Sequence, residues 1–236
     1  MSRQYKYKNA IINIMLDDAK RWDMIHKASE DETTHSHYVE EKEKLFPRGG
    51  LVVDLGGGGG QDALHLLQKG HSVVVLDISE HALNRCRELA KKAGFDKQLV
   101  TKQVDFGLHK LPIKLNSVDV VYSRISLNYF GKNHTTRLFT DIYNMLKTGG
   151  TAYLTFKSPE DVEEMEFLNK TASAYEPNVF IDNDQLRSRF TTEQLTKMLK
   201  KSGIPTFKVS SLQEDLSIRK AGHKSKLFVN EVIISK

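Results

Sequence analysis

The sequence is poor in cysteine and has no long apolar run. Its 236 residues include one cysteine, Cys86, so no intramolecular disulfide is possible, as is usual in a reducing compartment. No apolar stretch approaches the ~20 residues that a bilayer-spanning helix needs. The polar and basic residues 1–8 precede no hydrophobic signal region. These absences lead us to expect a cytoplasmic protein without a membrane partner.

The charge balance gives no sign of a polyanionic partner. The formal net charge is +5, with 28% charged and 39% hydrophobic residues, which indicates a globular core. The lysines form no single stripe with interleaved aromatic residues, so they fit a solvated surface better than a nucleic-acid site. His26, His35 and His37 lack further ligands at metal-binding spacing, so no metal site is predicted.

Glycine, by contrast, is concentrated at one place. Five consecutive glycines, residues 56–60, follow the apolar residues 51–55, which include Asp54. An apolar run bounded by glycine predicts a buried strand that stops at a tight turn, and residues 61–67 have helical spacing. A glycine loop between a strand and a helix lets a ligand approach the backbone closely. The junction therefore predicts a site for a nucleotide-like cofactor.

Strand and helix patterns alternate after this loop, which favours βαβ units and a parallel sheet. The polar residues 158–183 are long for a connection and suggest a lid or an insertion that shapes the substrate site. The last two predicted strands have no helix between them and are expected to pair antiparallel. The predicted strands are 51–55, 73–76, 99–104, 118–122, 152–156, 207–210 and 227–234; the predicted helices are 9–16, 17–27, 37–46, 80–92, 133–146 and 191–201.

Two nucleotide loops compete at the glycine run. A phosphate-binding P-loop is excluded because no Gly-Lys-Ser/Thr follows. Gly58, Gly60 and Ala63 satisfy the alanine form of the dinucleotide fingerprint, although five consecutive glycines satisfy several patterns by chance.

The spacing Asp54-x-Gly56-x-Gly58-x-Gly60 resembles the first motif of class I S-adenosylmethionine-dependent methyltransferases. Downstream segments resemble this family in the expected order: Asp77, Asp105-Phe106, residues 119–123 and Thr148-Gly149-Gly150. The resemblance implies an α/β, Rossmann-like, seven-stranded sheet. It would be mostly parallel with an antiparallel C-terminal strand and have helices on both faces.

The resemblance also implies S-adenosyl-L-methionine as the cofactor. Asp77 would accept both ribose hydroxyls, Asp105 and Phe106 would contact the adenine, and Asp54 would lie near the cationic end. The implied cofactor-binding residues are Asp54, Gly56, Gly58, Gly60, Asp77, Ile78, Asp105, Phe106 and Ser123. Gly57 and Gly59 depart from the family, which usually has a small residue and a hydroxyl residue there. A lost hydroxyl would cost roughly 0.5–1.5 kcal/mol of cofactor binding.

Residues 126–130 and 187–190 resemble the small-molecule and tellurite-resistance branch, which implies a small-molecule acceptor. We expect residues 1–48 to form a helical cap over the active site, and residues 49–236 to form the methyltransferase domain with an insertion near 158–190. The expected substrate-binding residues are Trp22, Tyr38, Arg124, Asn128 and Tyr129. The candidates for a general base are Tyr129, His37 and His35.

Three alternatives share this fold. Aminopropyltransferases carry an acid after the fourth strand, and residues 123–130 contain none. A methyltransferase that modifies RNA or protein is a second alternative. Against it, the Asn/Asp-Pro-Pro-aromatic motif of enzymes that methylate nucleic-acid amino groups is absent. A non-catalytic S-adenosylmethionine-binding protein is the third, and the atypical Gly57 and Gly59 keep it open.

Overall fold

The structure, a computed structural model, describes residues 18–28, 34–215 and 226–236. The predicted helix over 9–16 lies outside these residues. No helix among the described residues combines the length and the apolar character that crossing a bilayer requires.

A seven-stranded sheet with the order β3-β2-β1-β4-β5-β10-β9 forms the centre of the fold. β1 pairs in parallel with β2 and β4, and β10 pairs antiparallel with both β5 and β9. The predicted parallel α/β sheet and its antiparallel end are therefore confirmed. The strands are β1 Leu51–Leu55, β2 Ser72–Asp77, β3 Leu99–Gln103, β4 Val118–Arg124, β5 Leu146–Lys157, β9 Thr206–Asp215 and β10 Lys226–Ser235.

The last two strands are longer than their apolar residues predict, and they extend beyond the sheet. β10 pairs with β5 only from Val229 onward, whereas its pairing with β9 continues to Lys226 and Asp215. The tip of this hairpin therefore projects past the carboxyl end of β5. Ligands of open α/β sheets bind at this edge.

Helices cover both faces of the sheet, and side-chain caps fix where several of them begin. Ser79 accepts from the backbone N–H of Ala82, and Thr191 forms a capping box with Gln194. α2 ends at Glu43, three residues before its predicted end. The described helices are α1 Asp18–Ala28, α2 His37–Glu43, α3 Gln61–Gln68, α4 Glu80–Lys92, α5 Lys132–Met145, α6 Val162–Thr171 and α7 Thr192–Lys201.

The core has two layers because successive strand residues point to opposite faces. Val53 and Leu55 of β1 pack in one layer with Phe139 of α5. Val52 packs in the other with Leu66 of α3. Asp54 has the same parity as Val52, so its carboxyl group lies on the α3 side of the sheet.

The polar residues 158–183 have a structure of their own. α6 is followed by a three-stranded antiparallel sheet of β6 Ser173–Glu176, β7 Val179–Asp182 and β8 Gln185–Ser188. The buried Arg189 donates two hydrogen bonds to Glu164 of α6, at 2.9 and 2.8 Å, and Lys157 at the end of β5 donates a third at 2.6 Å. This ionic cluster attaches the insertion to the carboxyl edge of the main sheet.

Candidate functional site

The glycine loop is built for close contact. Gly56, Gly58 and Gly60, the glycines of the motif, have φ of 72°, 52° and 82°, in the left-handed region that favours glycine. A Cβ at Gly56 would overlap Cβ of Ser126, and one at Gly60 would overlap Sγ of Cys86. The loop therefore needs glycine at these positions for conformation and for space.

Asp54 lies beneath the loop with one carboxylate oxygen unpaired. The residue is 2% exposed, and its Oδ2 has no hydrogen-bond partner among the described residues. Burial raises the pKa of Asp54 well above its ordinary value, and the nearby Asp62 and Asp77 raise it further. A buried carboxyl group without a partner is costly, and a cationic ligand group would relieve that cost.

Asp77 ends β2 and is tied to the same loop. Its Oδ2 accepts from the backbone N–H of Gly58 at 2.9 Å, and its Oδ1 accepts from that of Ser79 at 2.8 Å. Burial raises the pKa of Asp77, while these hydrogen bonds and His26 oppose the shift. The carboxylate thereby has a fixed orientation at the carboxyl edge of the sheet.

Two cavities, of about 300 and 310 Å³, lie along this edge. The first is bordered by the loop and by polar side chains. The lining of the second combines apolar side chains with three acids. The first is lined by Trp22, Ile25, His26, Thr34, Ser36, Asp54, Gly56, Gly57, Gly58, Gly59, Gln61, Asp62, Arg85, Tyr122, Arg124 and Ile125. The second is lined by Asp18, Trp22, His26, Gly56, Asp77, Ile78, Val104, Asp105, Phe106, Arg124, Ile125, Ser126, Tyr129 and Phe130.

α1 lies across both cavities. Trp22 and His26, one helical turn apart, line each of them. The helix is held by Ser79, whose Oγ donates to Oδ1 of Asp23 at 2.5 Å, and by Arg21, whose Nη2 donates to the backbone oxygen of residue 183 at 2.7 Å. α1 thus connects the start of α4 to the insertion and covers the cleft between them.

Arg124, at the end of β4, is fixed by a residue from the far side of the sheet. Its Nε and Nη2 donate to Glu214 of β9 at 3.1 and 2.8 Å. The pair is bidentate and mostly buried, with side-chain exposures of 12% and 11%. The projecting hairpin therefore braces a side chain that lines the cleft.

Comparison with known proteins shows where this arrangement recurs. Residues 52–150 match the model of a family described as a methyltransferase domain. O-methyltransferase 3 of Dictyostelium discoideum is 24% identical over 175 residues, 71% of this chain and 38% of that protein. Sterol 24-C-methyltransferase of Schizosaccharomyces pombe is 30% identical over 117 residues, 49% of this chain and 30% of that protein.

Solved structures of other methyltransferases have a similar fold. The solved structure of Burkholderia thailandensis 1,6-didemethyltoxoflavin-N1-methyltransferase has a TM-score of 0.66 at 13% identity, covering 100% of this chain and 92% of that one. That structure contains 1,6-didemethyltoxoflavin and S-adenosylhomocysteine. The chain thus carries a methyltransferase domain over residues 52–150 and has the fold of solved S-adenosylmethionine-dependent methyltransferases.

The cleft fits the cofactor of this methyltransferase family. Gly56, Gly57, Gly58 and Gly59 line the first cavity with backbone alone, and the unpaired Oδ2 of Asp54 suits the ammonium group of the cofactor's amino-acid portion. The second cavity places the apolar Phe106 beside Asp77 and Asp105, which suits a ring and a ribose. The two cavities are adjacent, since they share the lining residues Trp22, His26, Gly56, Arg124 and Ile125, and this adjacency suits one elongated ligand.

Four residues that were expected to bind the cofactor or the substrate lie outside both cavities. The Ser123 hydroxyl donates to the backbone oxygen of residue 55 at 2.9 Å, and Gly60 is the N-cap of α3. Tyr38 donates to Glu231 at 2.9 Å on the α2 side of the sheet. Asn128 is 1% exposed, and its Oδ1 accepts from the backbone N–H of Lys157 at 2.8 Å. These side chains support the walls of the cleft rather than facing it.

The candidate bases are differently placed. Tyr129 lines the second cavity, and burial raises its pKa. His37 has an exposed side chain beside Glu40 and Glu41, and it lines neither cavity. His35 lies beside His65, with ring centroids 4.2 Å apart. Of these three candidates, only Tyr129 faces the cleft.

Two residues that line the cleft, Asp62 and His26, and one that braces it, Glu214, were not predicted from the sequence. Asp62 accepts from the Tyr122 hydroxyl at 2.7 Å and from the Ser36 hydroxyl at 2.8 Å, which joins the start of α2 to α3 and β4. Its position just after the glycine run was the available signal. His26, one turn after Trp22, could have been found from helical spacing. Glu214 had no such signal, because only strand register brings it to Arg124.

Proposed function

We propose that this protein transfers a methyl group from S-adenosylmethionine to a small-molecule acceptor. The observation that carries the proposal is the pair of adjacent cavities along the glycine loop, with Asp54 lining one and Asp77 lining the other. Bound S-adenosylmethionine supplies an electrophilic methyl group on a positively charged sulfur. The protein's part is to bind, align and exclude water.

The carboxyl groups would divide the recognition of the cofactor between them. Asp77, oriented by the backbone N–H groups of Gly58 and Ser79, would accept the ribose hydroxyls. Asp105 and Phe106 would hold the adenine at its edge and face. Asp54 would accept from the ammonium group, and a cation there would lower the pKa that burial raises.

The acceptor would enter from the side of the cleft that α1 and the insertion border. Trp22, Arg124 and Tyr129 line the cavities there and are the residues we propose to contact it. An enclosed cleft suits a small molecule better than a polymer. Because burial raises the pKa of Tyr129, its phenol stays protonated at neutral pH and is not available as a general base. We therefore infer an acceptor whose attacking atom needs little help in losing a proton.

We propose the domain division made from the sequence: residues 1–48 as a cap, residues 49–236 as the methyltransferase domain, and an insertion over 158–190. The position of α1 over the cleft and the separate sheet of β6 to β8 support it. We also propose a cytoplasmic setting, which the buried free thiol of Cys86 suits.

Isothermal titration calorimetry tests the cofactor assignment directly. The wild type should bind S-adenosylmethionine and not NAD. Asp77→Ala should weaken binding about tenfold or more, because hydrogen bonds to a charged group are worth about 1.5–3 kcal/mol each. Asp96→Ala is the matched control, since Asp96 is exposed in the loop before β3, at the opposite edge of the sheet. Binding of NAD but not S-adenosylmethionine would overturn the proposal.

Turnover is a separate measurement. S-adenosylhomocysteine formation, followed across a panel of small hydroxyl, thiol and amine compounds, should identify an acceptor. If cofactor binds tightly and neither this panel nor RNA and protein substrates yield product, the non-catalytic alternative replaces methyl transfer.

A further inference from the structure

One residue that lines both cavities has a backbone conformation that is unusual for its type. Five described non-glycine residues have a positive φ: Asn116, Ile125, Asn178, Asn183 and Asp184. Asparagine and aspartate tolerate this conformation because their short side chains bond locally. Ile125, with a φ of 48°, is β-branched and apolar, so its conformation is strained. Strain of this kind persists only where the surroundings impose it, and it concentrates at functional sites.

The surroundings of Ile125 do impose it. Its backbone N–H donates to Thr155 of β5, at 3.0 Å to Oγ1 and 3.1 Å to the carbonyl oxygen. Its own carbonyl accepts from Nδ2 of Asn128 at 2.6 Å. Both backbone polar groups are therefore committed, and a relaxed conformation would break these bonds.

The residues on either side are fixed as well. Arg124 is held by its bidentate pair with Glu214. The hydroxyl of Ser126 donates to the backbone oxygen of Leu55 at 2.6 Å, and Ser126 occupies the space that a side chain at Gly56 would need. The turn is thus locked to β1, β5 and β9 together.

This locked turn lies between the two cavities. Ile125 lines both the cavity that contains Asp54 and the cavity that contains Asp77. If the amino-acid portion of the cofactor lies in the first and the adenosine portion in the second, the sulfur that links them lies between. A branched hydrocarbon side chain at that point excludes water and offers no competing nucleophile.

We propose that Ile125 is a positioning residue, held in a left-handed conformation so that its side chain forms the wall beside the linking atoms of the cofactor. This inference rests on the proposed function. The strain at Ile125 then has a functional reason. The folded protein loses some stability because the turn places an apolar side chain where an unstrained turn would not place it.

The test is a pair of measurements expected to move in opposite directions. Ile125→Asn should raise the melting temperature of the free protein by about 2–6 °C, because asparagine adopts positive φ at lower cost. The same variant should bind S-adenosylmethionine about tenfold more weakly by calorimetry, because the apolar wall is lost. Ile125→Val keeps the branched side chain and should bind within about twofold of wild type.

The control is the reverse exchange at a distant site with nearly the same conformation. Asn116 has a φ of 51° and is exposed before the start of β4, at the opposite end of that strand from Ile125. Asn116 also accepts a hydrogen bond from Nζ of Lys236 at 2.7 Å, which Asn116→Ala removes as well. Asn116→Ile should therefore lower the melting temperature further than Asn116→Ala and leave cofactor affinity unchanged, which would show that an isoleucine in this conformation costs stability by itself.

Two results would overturn the role of Ile125. One is an Ile125→Asn variant that binds S-adenosylmethionine as tightly as wild type. The other is a variant that loses stability and affinity together, as a merely structural residue would. A wild type that binds no S-adenosylmethionine would instead contradict the proposed function, and the stability comparison would still be measurable.

Discussion

Gly57 and Gly59 are the two loop glycines outside the motif, and the structure predicts opposite results for replacing them with alanine. Neither has a positive φ, so the backbone admits alanine at both positions. A Cβ at Gly57, however, would overlap Oδ2 of the buried Asp54 and lie 2.9 Å from Cγ1 of Val75. At Gly59 the nearest atoms are Nη1 and Cδ of Arg85, at 3.2 and 3.3 Å, which belong to a long and only partly buried side chain.

The magnitudes follow from these distances. Forcing an extra methyl into a packed site costs about 1–3 kcal/mol. In a chain of this size that lowers the melting temperature by about 3–10 °C. Because the Asp54 carboxyl group must turn away, Gly57→Ala should also bind S-adenosylmethionine about tenfold more weakly. Gly59→Ala should gain about 0.4–1 kcal/mol by stiffening the unfolded chain, which a modest contact with Arg85 would offset.

Circular dichroism melting and calorimetric titration with S-adenosylmethionine measure both effects. The expected pattern is a large loss for Gly57→Ala and near-wild-type behaviour for Gly59→Ala. Equal behaviour of the two variants would refute the reasoning, because backbone and sequence context are shared and only the space around each Cβ differs.

Two further predictions concern the insertion and the cap. Burial raises the pKa of Glu164, but Arg189 and Lys157 outweigh it and lower the pKa to about 2. Glu164→Gln should therefore cost about 3 kcal/mol of stability near neutral pH. A lowered carboxyl pKa stabilises the folded protein fully only above the pKa of the unfolded chain. The difference in stability between wild type and variant, measured by urea denaturation, should therefore shrink as the pH falls from about 4.5 towards 2. A difference that does not depend on pH would contradict the ionic explanation. Trp22→Ala should weaken S-adenosylmethionine binding about tenfold by calorimetry, since the indole lines both cavities, whereas Met24→Ala on the same helix, 65% exposed, should leave it unchanged.

Much of the fold followed from local chemistry. The alternation of apolar runs with helical spacing predicted the main strands and helices in succession along the chain. The three glycines that match the motif, Gly56, Gly58 and Gly60, are also the three glycines of the run that have positive φ. Such features are readable because period, turn chemistry and capping act over a few residues. The small sheet of the insertion was missed because its three strands have only four residues each and two of them are largely polar.

The cleft shows most clearly which features follow from the sequence and which depend on the tertiary structure. The sequence by itself determined that acids would stand at the ends of β1 and β2, since Asp54 and Asp77 belong to the strands that carry them. Only the tertiary structure decided that Tyr38 lies at Glu231 rather than in the cleft. It also decided that Glu214 reaches Arg124, and that Ile125 is held against its preference. Those outcomes depend on strand register and on packing between distant segments, and neither leaves a local pattern in the chain.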